Sequence, residues 1–186
     1  MEIIKWAASN GYDAVVFPLG EKINPKNEYI KLANHYDLKI EAGGRELSLL
    51  VPRKLFLLHS DLFRMEQGAR TVKHHFCPTN HKSITIIAEQ AGELFAGFMN
   101  VVSVPRVFHL LPDEGFENLW CACPACRAFS PAEQNIIAVN SAADALERLA
   151  PDARLSFLDL DNGLSEKPPA DNRGIVPRKN MFGLKL

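Results

Sequence analysis

Residues 104–126 read Val-Pro-Arg-Val-Phe-His-Leu-Leu-Pro-Asp-Glu-Gly-Phe-Glu-Asn-Leu-Trp-Cys-Ala-Cys-Pro-Ala-Cys. The opening part, 104–111, continues an apolar run that begins at residue 101, the pattern of a buried strand in a parallel sheet. Residues 112–126 are turn-rich. They set the adjacent carboxylates Asp113 and Glu114, Trp120 and three of the four cysteines just past the strand that carries His109. Polar and metal-capable groups beyond the carboxyl end of a buried strand are the arrangement of an α/β active site.

On either side of this stretch, helical and strand periods alternate with short connections, as in an α/β protein. Helices are expected over 1–10, 27–36, 82–99 and 131–149, the first stopped by Asn10-Gly11 and the last opened by Pro131. Strands are expected over 13–18, 38–42, 104–111 and 155–160. Residues 49–70 fit no regular element and read as a long excursion. The order is helix–strand repeated four times. The predicted fold is therefore α/β, a parallel (β/α) barrel-like sheet with about half the repeats of a TIM barrel, which typically needs ~250 residues. Residues 1–162 are assigned to this partial barrel domain and 163–186 to an irregular C-terminal tail.

Composition limits the partners. The chain has 186 residues, 47% hydrophobic and 23% charged, with net charge −1. That balance suits one soluble domain and gives no basic stripe for nucleic acid. No run approaches the ~18 apolar residues of a membrane span. The start, Met-Glu-Ile-Ile-Lys-Trp-Ala-Ala, lacks the basic region and cleavage site of a signal peptide, so the expected location is the cytoplasm. Cysteines in such a compartment favour metal or thiol chemistry over a disulfide framework. No Gly-x-Gly-x-x-Gly, Walker or Gly-x-Ser-x-Gly motif is present, and no organic cofactor is expected.

Cys121, Cys123 and Cys126 are close enough in sequence to bind one ion, with Cys77 as fourth ligand and His74 and His75 as further candidates. Four Cys or His ligands make a structural zinc site that leaves no position open for catalysis. The competing reading is a set of ordinary thiols, or a disulfide if the protein is exported. Asp113-Glu114 has the composition of a carboxylate pair for glycoside hydrolysis, which needs a proton donor and a second group to stabilise or attack the reacting centre. Pro-Asp-Glu-Gly is equally a good solvated turn. Strand alternation puts His109 on the face of Val107 and Leu111, where it either binds a sugar hydroxyl or a carboxylate or is a hydrogen-bonded core histidine. Arg45, after Glu41-Ala-Gly-Gly, is suited to clamp a carboxylate, and the glycines permit close backbone approach to a ligand. Trp120 either stacks on a sugar face or caps the cysteine site. Asn140, in an apolar helical stretch, reads as structural.

Several segments resemble a bacterial family of glycosidase-like barrels, the domain-of-unknown-function family 4838, itself similar to family 20 glycoside hydrolases. They are Glu2-Ile-Ile-Lys-Trp-Ala-Ala-Ser-Asn, Lys39-Ile-Glu-Ala-Gly-Gly-Arg-Glu-Leu-Ser, Phe76-Cys-Pro-Thr-Asn, His109-Leu-Leu-Pro-Asp-Glu-Gly with Trp120-Cys-Ala-Cys-Pro-Ala-Cys, and Pro131-Ala-Glu-Gln-Asn-Ile-Ile-Ala-Val-Asn. The resemblance spans residues 2–162 and implies a (β/α) barrel acting on carbohydrate. It implies that Asp113 orients or stabilises and Glu114 is the general acid. The family's barrel extends beyond the part matched, so the resemblance also implies a partial copy, and residues 173–186 match nothing in it.

The expectation is thus a carbohydrate-active domain of glycoside hydrolase type. A sugar isomerase or epimerase is the alternative, its divalent ion held by Glu41, His109 and Asp159 or Asp161. A third reading is an inactive, zinc-pinned fragment that covers its sheet edges as a homo-oligomer.

Overall fold

The computed structural model describes residues 2–19, 27–100, 106–113, 119–159 and 175–184. Five strands form one parallel sheet: β1 (Ala14–Phe17), β2 (Lys39–Gly44), β5 (Val107–Leu110), β6 (Arg154–Leu158) and β7 (Met181–Leu184). They stand side by side in chain order, each paired in parallel with the one before. Helices α1 (Glu2–Ser9), α2 (Asn27–His35), α3 (His81–Met99) and α4 (Pro131–Leu149) alternate with the first strands. The fold is α/β with the organisation of part of a (β/α) barrel. No helix among the described residues is long and apolar enough to cross a membrane.

The assignment of residues 163–186 to an irregular tail needs correcting at its end, because Met181–Leu184 is the fifth strand. Tertiary contacts set it in place. Asn140 on α4 donates to the Val176 carbonyl and accepts from the Arg178 amide, and Arg178 forms a two-pronged ion pair with Asp144. Residues 160–174, which hold Asp161, lie outside the described residues, as do 101–105 at the start of the strand expected over 104–111.

Residue alternation divides the sheet into two faces. The row Ala42, Phe108, Leu155 and Met181 faces the helices. There Phe108 meets Phe95 and Phe98 of α3 edge-on, with ring centroids 4.8 and 6.3 Å apart. His109, one residue on, shares the opposite face with Ser156.

Local signals open the long helices. Asn80 caps α3 by accepting from the Lys82 amide. Ser130 and Glu133 form a reciprocal capping box on α4, with Pro131 in its first turn. The stretch from 45 to 80 has three short 3₁₀ turns (Leu47–Leu50, Arg53–Leu57 and Ser60–Leu62) and the hairpin β3 (Met65–Glu66) with β4 (Ala69–Arg70). This long β2–α3 connection and the β5–α4 connection both leave the carboxyl ends of neighbouring strands.

Candidate functional site

Gly43 brings those strand ends together. Its φ of +119° is open to glycine, and a Cβ there would lie 1.9 Å from the His109 carbonyl oxygen. The close approach at this glycine is to the backbone of β5. Beyond it, the Leu111 amide donates to the Gly44 carbonyl, and Arg45 Nη1 donates to the Pro112 carbonyl at 3.1 Å. Arg45 therefore braces the segment leading to Asp113.

Asp113 is held from the neighbouring loop. Ser48 Oγ donates to its Oδ1 at 2.7 Å, and His74 Nδ1 lies 3.4 Å from its Oδ2. His74 has a left-handed backbone, with φ of +60°, and its carbonyl accepts from Arg53 Nη2. Arg53 is lowered from the usual guanidinium range by burial, against the raising effect of Asp113. Glu114, the other half of the expected pair, lies outside the described residues.

Behind Asp113, His75 and Trp120 stack with ring centroids 4.3 Å apart and planes 11° from parallel. Burial pushes the His75 imidazole down to about 4, with Asp113 opposing and Arg53, His74 and Arg64 reinforcing, so the ring is neutral. Neither nitrogen of His75 has a hydrogen-bond partner, nor do Trp120 Nε1 and Arg53 Nη1. Unmade bonds of this kind cost about 1–3 kcal/mol each. These atoms have almost no accessible surface, so they belong to the packed interior behind the Asp113 carboxylate.

The four cysteines meet as the spacing suggested. Cys77, from the β2–α3 connection, joins Cys121, Cys123 and Cys126, and the four sulfurs lie within 4.8 Å of one another. All are buried and none is in a disulfide. Hydrogen bonds from Cys121 and Cys126 hold the Cys77 thiol well below its ordinary range, whereas its bonds to Cys121 and Cys77 push Cys126 well above. The group can hold a metal ion. Gln134 fixes the loop from α4: its Oε1 accepts from the Cys121 amide, and its Nε2 reaches the carbonyls of Cys121, Cys126 and Phe129.

Other candidates separate from these. His74 and His75, offered as further metal ligands, serve Asp113 and Trp120 instead. His109 is 8% exposed and bonded on both nitrogens, Nδ1 to Ser156 Oγ at 2.7 Å and Nε2 to Glu41 Oε2 at 2.8 Å. Among the described residues the cysteines are the one group of three or more His, Cys, Asp or Glu side chains placed to share an ion, so Glu41, His109 and Asp159 form no metal centre there. Trp120 is buried, with one ring face taken by His75. Ser48 and Arg53 carried no sequence signal, and the His74-His75 pair signalled only metal affinity.

No protein-family model matches the sequence, and no curated protein matches it significantly. Solved structures do. The chain is similar to a structure of the tandem GH20 catalytic modules of the pneumococcal exo-β-D-N-acetylglucosaminidase StrH, with TM-score 0.62 and 12% identity over 98% of this chain and 54% of that one. It also matches a GH36 α-galactosidase from Geobacillus stearothermophilus in complex with raffinose, with TM-score 0.48 and 12% identity over 84% of this chain and 25% of that one. The likeness to the GH20 structure is one of fold, and this chain spans about half of that structure's length.

Proposed function

We propose that the chain is a carbohydrate-active domain of glycoside hydrolase type, with its site at the carboxyl ends of β2 and β5. The observation that carries this reading is Asp113, which follows β5 and is gripped by Ser48 and His74 from the β2 side. A carboxylate fixed in that way can orient a substrate group or stabilise positive charge developing at a sugar ring. Glu114, next to it in sequence, is the proposed general acid that protonates the leaving oxygen. The fold likeness to a GH20 module supports the same class.

The test is hydrolysis of a panel of aryl glycosides that includes N-acetyl-β-glucosaminides, with the wild type, Asp113→Asn and Glu114→Gln compared at equal folded fraction. Loss of about 100-fold or more in either variant supports the assignment. A wild-type rate that survives both substitutions unchanged removes it.

A further inference from the structure

The four-sulfur cluster lies apart from the main core and has a geometry of its own. We propose that Cys77, Cys121, Cys123 and Cys126 bind one zinc ion as a closed tetrathiolate, and that this ion clamps the two strand-end connections around the His75–Trp120 stack. The Cys77 sulfur is 3.7 Å from that of Cys123 and 3.6 Å from that of Cys126. A tetrahedron with zinc–sulfur bonds of about 2.3 Å has edges of about 3.8 Å, so the sulfurs already stand near coordinating separations. An all-sulfur tetrahedral set selects zinc or iron among the common metals, and zinc forms it without redox chemistry.

The surroundings fit a metal better than bare thiols. The sulfurs themselves pack with the half-buried Met65, apart from the main core that takes Phe63, Phe76 and Trp120 of the same connections. The Met65 amide donates to the Cys121 sulfur at 3.3 Å, and Arg70 Nη1 is 3.7 Å from the same atom. Binding releases one proton from each protonated thiol and leaves a centre of charge −2, which the Arg70 guanidinium partly offsets. Four protein ligands leave no site for water or substrate, so the ion holds structure and performs no chemistry. His75 is two residues before Cys77, and Trp120 immediately precedes Cys121. The ion therefore fixes both rings through their own backbones.

The test uses the full chain bearing Trp6→Phe, which removes an exposed tryptophan and leaves Trp120 as the sole indole emitter. Elemental analysis should find about one zinc per chain. Exchange for cobalt(II) should give intense thiolate-to-metal charge-transfer absorption with tetrahedral d–d bands. Chelation should shift the Trp120 emission to the red, and zinc should restore it. Cys123→Ser should weaken zinc binding at least tenfold; should that variant fail to fold, the cobalt spectrum of the parent chain decides the ligands. Stoichiometric iron, no retained metal, or cobalt without thiolate bands overturns the site. An emission spectrum unmoved by metal removal overturns the clamp. None of these readouts involves carbohydrate, so the clamp and the proposed activity stand or fall separately.

Discussion

Ser48 Oγ donates a 2.7 Å hydrogen bond to Asp113 Oδ1 across 65 positions of sequence, joining the connections that leave two neighbouring strands. Ser48 is buried, and its bond, with His74 beside the other oxygen, fixes the rotation of the Asp113 carboxylate. Ser48→Ala should cost about 1.5–3 kcal/mol of stability, the range for a hydrogen bond to a charged group. It should also slow any Asp113-dependent turnover. Urea midpoints and steady-state rates measured on the same preparation check both effects, and a turnover unchanged by the substitution would show that the bond does not orient Asp113.

His74 takes the left-handed backbone conformation, with φ of +60°. A residue with a Cβ pays roughly 1–2 kcal/mol there, and glycine does not. His74→Gly should therefore be more stable than His74→Ala by about 1 kcal/mol, although both lose the contact to Asp113. Equal urea midpoints would mean that this backbone relaxes in the variants.

Two glycines should respond to alanine with opposite signs. Gly43→Ala forces a Cβ into the His109 carbonyl and should destabilise the sheet by several kcal/mol or prevent folding. Gly97, exposed within α3, has nothing within 4 Å of an added Cβ. Gly97→Ala should stabilise by about 0.5–1 kcal/mol through helix propensity. Thermal and urea unfolding of the pair measure the contrast.

His109→Leu keeps the ring's approximate volume but strands the Ser156 hydroxyl and one Glu41 oxygen. The expected loss is about 2–4 kcal/mol, and a double-mutant cycle with Glu41→Gln should show coupling of about 1 kcal/mol or more. Strict additivity would mean that the 2.8 Å contact between these side chains contributes nothing to stability.

Gln134→Glu replaces an amide donor with a carboxylate facing the carbonyls of Cys121, Cys126 and Phe129. The cysteine loop should loosen, at about 1–3 kcal/mol, and its thiols should react faster with a disulfide reagent. Reaction rates equal to the wild type would show that the loop is held without Gln134.

Sequence pattern and tertiary context contributed differently to these features. Helix α4 was legible to its ends because Pro131 and a sustained apolar period mark it locally. The cysteine group was legible because three of its members fall within a six-residue window and thiols have few roles in common. The partners of Asp113 were not. Ser48 and His74 sit in a connection without periodicity, and they reach Asp113 only because β2 and β5 are neighbours. The strand at Met181–Leu184 was hidden for a similar reason: it is short and interrupted by Gly183, and its position depends on Asn140 and Asp144 far back in the chain. A Cβ at Gly183 would come within 3.2 Å of the Asp159 Cβ, a close fit to β6 that local sequence does not show.

The sequential strand order β1-β2-β5-β6-β7 bears on how the chain acquires its shape. Each new strand finds its neighbour already made, so the sheet can grow by accretion from the amino end as synthesis proceeds, without inserting a late strand between earlier ones. The Gly43–His109 contact ties the second and third strands of the sheet, because a side chain at position 43 would keep β5 from its place. Growth on this plan exposes one advancing edge at a time, and the last described addition, β7, is latched from outside by the α4 side chains that bind Arg178 and Val176.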